Sequence, residues 1–141
     1  MTANYDESLR TITLNADATL AVLTGAPGLP GSANGVNVAG NQYRAVVVTG
    51  ARQAGLSNAN NGKVVGVCQS KPQYTGNAST IGFSGVSRVM TSTNVTAGQA
   101  VYCDANGKGS NSNATGVLLG IALDTSTTAG SLVPVLLQLS E

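Results

Sequence analysis

Glycine or asparagine interrupts this chain about every ten residues, and the apolar stretches in between are short and rich in Val, Leu, Ile and Thr. β-Branched side chains pack well on a pleated surface and lose rotamer freedom in a helix. The pattern therefore predicts an all-β domain, a sandwich or barrel of jelly-roll-like kind, and no stretch reads as a helix. Strands are expected at residues 10–15, 19–24, 43–49, 63–69, 79–84, 86–92, 99–103, 117–123 and 132–139. Asn61-Gly62 and Asn106-Gly107 are hairpin-turn dipeptides, because a type I′ turn needs positive φ at both central positions.

Residues 25–42 hold Gly25, Gly28, Gly31, Gly35 and Gly40 with Pro27 and Pro30, a composition that resists regular structure and predicts a long loop. It separates residues 1–24, an N-terminal arm or strands, from a β core at 43–139. Charge divides in the same way. Asp6, Glu7 and Asp17 fall in the first segment, and no Asp or Glu occurs from Ala18 to Cys103, a span holding Arg44, Arg52, Lys63, Lys71 and Arg88. Either this is chance at low charge density, or it marks a mildly basic face that docks on an acidic shell or a neighbour's acidic arm.

The core also aligns with itself. With Gly66 laid on Gly120, Gly55, Gly62 and Gly76 fall on Gly109, Gly116 and Gly130, and Val64, Val65 and Val67 fall on Leu118, Leu119 and Ile121. This favours a duplicated β unit at residues 43–84 and 97–138, although glycine-punctuated strands of similar length also align by accident. Gly66 and Gly120 would then sit inside strands, where a missing side chain permits a bulge or a close backbone approach.

Residues 132–139 are apolar on both faces: Val133, Val135, Leu137 and Leu139 on one, Leu132 and Leu136 on the other. Pro134 cannot donate to a ladder and argues for an edge strand, and an open apolar edge would aggregate. Two arrangements remain. Leu132, Val133, Val135, Leu136 and Leu137 form a subunit interface, or the strand is central and covered by the N-terminal segment.

Chemistry is poorly supplied. The chain has no histidine, which removes the commonest general base and metal ligand together. Cys68 and Cys103 alone do not make a zinc site, and each lies in an apolar stretch, so both are expected as buried free thiols. Asp104 and Asp124 lie beside turn residues, where Asp serves the backbone. The glycine clusters match no phosphate-binding loop, and the dispersed basic residues with few aromatics do not build a nucleic-acid groove. The apolar run at residues 117–123 is far too short to span a bilayer, and Met1 is not followed by a charged-then-apolar leader, so no membrane span or export signal is expected. No catalytic, cofactor or metal site is assigned. Only 9% of residues are charged, against about 25% in an ordinary soluble domain, and the formal net charge is +1. Net charge normally keeps a protein soluble and monomeric, so this composition points to a chain that ends inside an assembly.

From Lys63 onward the sequence resembles the small β-rich cement, or decoration, proteins of bacteriophage capsids. The resemblance rests on Val65-Gly66-Val67-Cys68-Gln69-Ser70-Lys71-Pro72, then Gly76 and Gly85-Val86. It continues through Val95-Thr96-Ala97-Gly98-Gln99-Ala100-Val101, Asp104-Ala105-Asn106-Gly107 and Leu119-Gly120-Ile121-Ala122-Leu123, and closes with Gly130-Ser131-Leu132-Val133-Pro134-Val135-Leu136-Leu137. Residues 43–49 join it. It implies a homotrimer on the exterior of the virion, bound to the major capsid protein, made in the host bacterial cytoplasm and without catalytic activity. Residues 1–42 fall outside the matched pattern. Tyr5, Leu9, Arg10 and Ile12 are read as capsid contacts on an arm, because apolar anchors stand out in an otherwise polar lead. Competing readings are a trimeric receptor- or carbohydrate-binding module of a phage fibre, or another capsid or tail subunit; the supply of aromatics is poor for a sugar platform.

Overall fold

A computed structural model describes residues 9–21, 41–114 and 117–139. Among them there is no helix, and ten strands follow in order: β1 (Arg10–Ala16), β2 (Ala45–Gly50), β3 (Gln53–Leu56), β4 (Val64–Cys68), β5 (Ala78–Ser84), β6 (Val86–Met90), β7 (Ala100–Cys103), β8 (Gly109–Ser110), β9 (Leu118–Ala122) and β10 (Leu132–Leu137). Five close into a barrel in the order β1-β3-β2-β4-β5, and five form a second sheet in the order β6-β10-β9-β7-β8. The all-β expectation holds, with five strands in a closed barrel and five in a second sheet.

The two sheets share one plan. Starting at the third strand of each, the orders are β3-β2-β4-β5-β1 and β8-β7-β9-β10-β6. Registers agree as well. Val67 opposite Gly82 and Cys68 opposite Ile81 recur as Ile121 opposite Leu136 and Ala122 opposite Val135. Between β2 and β4 the pairing passes from Val46–Gly66 to Val47–Val64, leaving Val65 over; between β7 and β9 it passes from Val101–Gly120 to Tyr102–Leu118, leaving Leu119 over. The same bulge thus occurs in both. The agreement is offset by one residue from the glycine alignment at β3 and β8, since Val48–Ala54 recurs as Cys103–Gly109.

The sheets differ in how they close. In the barrel β1 pairs with β5 antiparallel and with β3 parallel, Asn15 opposite Gln53 and Ala16 opposite Ala54. In the second sheet β6 and β8 meet only where Thr91 bridges Gly109. The rest of that seam takes in the chain just before and at the start of β2: Met90 N–H donates to Tyr43 O at 2.9 Å, and Ala45 N–H donates to Gly107 O at 2.7 Å. The cores follow from this. Ala16, Leu20, Ala21, Val46, Ala54, Cys68 and Ile81 form one, with several small side chains, as the narrow interior of a five-stranded barrel requires. Val89, Val101, Leu119, Ala122, Val133 and Val135 form the other together with Ala45, Val47, Val64 and Val67, so one flank of the barrel walls the core of the second sheet.

Several expectations change. Residues 19 and 20 lie in a turn in place of the strand expected at 19–24, because Asp17 Oδ1 accepts from Thr19 N–H and Leu20 N–H and holds the chain back; residues 22–24 lie outside the described residues, as does most of the Gly/Pro-rich loop. The short strands β3 and β8 were not expected. Asn61-Gly62 lies in the connection from β3 to β4, which are separated by β2, so it makes no hairpin. Pro134 sits in a central strand, between β6 and β9. It is tolerated because it ends the ladder with β9: Leu123 N–H donates to Pro134 O at 2.8 Å, and only the reciprocal bond is missing.

Candidate functional site

β10 alternates cleanly. Val133, Val135 and Leu137 are buried in the chain's own core, while Leu132 and Leu136 are 42% and 38% exposed on the outward face. Of the five residues read as a subunit interface, only these two are available to a partner. Their cross-strand neighbours extend the apolar surface. Leu136 lies between Val86 on β6 and Ile121 on β9, and Leu132 lies opposite Met90. Leu123, beyond the end of β9, is 40% exposed beside Pro134. The one charge among these strand positions is Arg88, exposed opposite Pro134.

The barrel supplies an internal comparison. Matching the pairing of β1 with β5 to that of β6 with β10 puts Thr11–Gly82, Thr13–Thr80 and Asn15–Ala78 where the second sheet has Val86–Leu136, Arg88–Pro134 and Met90–Leu132. One scaffold thus carries a polar outward face in its first copy and an apolar one in its second. Sequence reading found Leu132 and Leu136 but missed Val86, Met90, Ile121, Leu123 and Arg88. The available signal was that residues 117–123, like 132–139, are apolar at both parities.

The residues read as capsid contacts fall in and beside β1. Arg10 and Ile12 are exposed, Ile12 at 42%. Leu9 is half-buried against the core between the sheets, close to Gly82, and Tyr5 lies outside the described residues. The strand that carries Arg10 and Ile12 closes the barrel, so they do not sit on a detachable arm.

The acids among the described residues, Asp17, Asp104 and Asp124, serve turns. Asp17 accepts from the hydroxyls of Thr19 and Thr49, each at 2.7 Å, and from two backbone amides. Burial pushes its carboxyl up, but these four bonds together outweigh burial and hold it below the ordinary carboxylate value. Asp104 Oδ1 accepts from Asn106 N–H and Lys108 N–H, and Asp124 Oδ1 from Thr125 N–H. Cys68 and Cys103 are buried and not joined to each other; burial pushes both thiols up. Among the described residues no cluster of three His, Cys, Asp or Glu converges on a metal position, and no helix is long and apolar enough to cross a membrane. What the described surface offers is contact area.

Comparison with known families matches residues 8–137 to the phage cement proteins, a span that includes both sheets. Comparison with curated proteins finds no match. Among solved structures the chain is similar to the N base of the head fiber gp8.5 of bacteriophage phi29, at 11% identity and a TM-score of 0.53, over 94% of this chain and 98% of that one. At that identity the likeness is one of fold.

Proposed function

The chain belongs to the phage cement protein family, a structural protein of the phage capsid, and we propose that it binds the outer surface of the head as a trimer and stabilises the shell. The observation that carries this reading is the family match across residues 8–137, both sheets included. A ligand that binds only the assembled state stabilises it by mass action, and a trimer gains avidity because its second and third contacts are intramolecular. The partner is the major capsid protein, with Arg10 and Ile12 of β1, flanked by Leu9 and Tyr5, as shell contacts, and Leu132 and Leu136 as contacts between copies. The protein is made in the host bacterial cytoplasm and reaches the exterior of the virion without catalysing a reaction. A sequence without histidine, and the commitment of Asp17, Asp104 and Asp124 to turns, support that last point.

The test is sedimentation of purified protein with undecorated heads. Saturable co-sedimentation is the expected result; protein that stays in the supernatant at every ratio would overturn the reading. The likeness in fold to a head-fiber base keeps one rival in view, a receptor- or carbohydrate-binding module of a fibre. The same assay with host cells in place of heads separates the two.

A further inference from the structure

We infer that the outward apolar face of β6, β10 and β9 is buried against a second copy of this chain, in a head-to-tail contact and not a two-fold one. The inference rests on the reading that the chain self-associates and names the surface that does it.

The fold does not require an apolar face here, since the barrel has Thr11, Thr13 and Asn15 where the second sheet has Val86, Arg88 and Met90. The other exposed large apolar side chains among the described residues, Ile12, Val48 and Phe83, lie on the barrel; contiguous exposed apolar surface marks a contact site. The molecule also shows what covers such a surface. Val47 and Val67 on the flank of the barrel are fully buried, in the core shared with the second sheet. By register their counterparts are Tyr102 and Ile121, which no described residue buries fully. In the first copy of the unit, then, the flank is covered by another β unit of the same chain. In the second copy the described residues leave it open, continuous with Leu136, and a unit from a neighbouring chain completes it.

Arg88 sets the polarity of the contact. A two-fold contact is self-complementary, so pairing the strip with itself about its middle brings Arg88 against Arg88. Like charges facing each other oppose association, and the strip itself holds no carboxylate. A head-to-tail contact sets Arg88 against a different part of the neighbour, and such contacts close into rings. Apolar character at this level suits a permanent interface between like subunits.

Analytical ultracentrifugation of the full chain tests this, with Leu136→Asp, Leu132→Asp and, as control on the polar counterpart face, Thr13→Asp. Leu132 and Leu136 are exposed, so circular dichroism should stay that of the folded β protein. The expected result is an oligomeric wild type and Thr13→Asp, with association weakened about a hundredfold or more by Leu136→Asp. A monomeric wild type, or an oligomer indifferent to both leucine changes, overturns the inference. Arg88→Cys tests polarity: rapid formation of a disulfide-linked dimer under mild oxidation, with the oligomer intact, overturns the head-to-tail arrangement, and its absence supports it. If Leu136→Asp stays oligomeric but no longer sediments with heads, the face belongs to the shell and this inference falls while head binding stands. If the wild type associates through this face yet ignores heads, head binding falls and this inference stands.

Discussion

Gly66 and Gly120 show how closely the strands approach one another in each sheet. A Cβ on Gly66 would run into the backbone carbonyl of Gly82, and one on Gly120 into that of Leu136, the same position in the two registers. A backbone carbonyl in a ladder cannot swing aside as a flexible side chain can. Gly66→Ala and Gly120→Ala should each cost about 2–3 kcal/mol in urea denaturation, and a change below about 0.5 kcal/mol would mean that the bulge relaxes freely. Asp17 gives a pH prediction. Its folded-state pKa lies below the unfolded one, so the folded state binds fewer protons between the two values, and its contribution is whole above about pH 4. It is lost as pH falls through the folded value. Asp17→Asn should lower the Tm at pH 7 and flatten the acid limb of the Tm profile below about pH 4; an unchanged limb would assign acid sensitivity elsewhere. The two cysteines give a third. Burial raises both pKa values and closes off access, so a thiol reagent should label neither in the native protein and both after denaturation.

At the scale of elements, β1 is the piece whose role the sequence concealed. Read as part of an arm, residues 1–24 should be removable with the core left folded, but β1 is the strand that joins β5 to β3 and closes the barrel. Deleting residues 1–16 should therefore abolish the cooperative thermal transition, and a truncated protein that melts like the full chain would restore the arm reading. The strand itself was expected, at residues 10–15; its pairing was not, for a physical reason. Strand existence was legible because apolar runs bounded by turn residues signal it locally, and β1, β2, β4, β5, β6, β7, β9 and β10 all fall within a residue or two of expectation. Pairing across a long connection leaves no local mark, so the closure by β1 did not show. The short β3 and β8 were hidden for a related cause: Gln53-Ala54-Gly55-Leu56 and Gly109-Ser110 have little β propensity and are held by their neighbours in the sheet. Pro134 misled by the same route. Its missing donor argues for an edge only if the whole strand is considered, whereas it needs just one end of one ladder. For the candidate site, the apolar parity of residues 132–139 was legible; which of the two faces turned inward was decided by tertiary packing.

Considered whole, the molecule is asymmetric in its dependence. The matched orders and registers relate residues 10–84 to residues 86–137, five strands each and longer than the units expected at 43–84 and 97–138, but only the first set closes on itself, while the second borrows Tyr43 and Ala45 to fill its seam. Amides of the barrel strands should accordingly exchange no faster than those of β6 and β8, because opening the barrel flank also opens the second core. The same asymmetry bears on assembly. With 7 basic and 6 acidic residues in the chain, few charges are available to any contact, and the outward face of the second sheet holds one. Coulomb attraction between exposed charges is largely screened once the Debye length falls from about 10 Å at 0.1 M to about 3 Å at 1 M salt. Apolar burial is not weakened in this way, and it carries a negative heat-capacity change. Association between copies should thus vary less than about threefold in Kd between about 0.1 M and 1 M sodium chloride, with a negative ΔCp by titration calorimetry. A loss of tenfold or more over that range would instead make ion pairs the source of the contact, and would move the search from Leu132 and Leu136 to the exposed basic residues Arg52, Lys63 and Lys71.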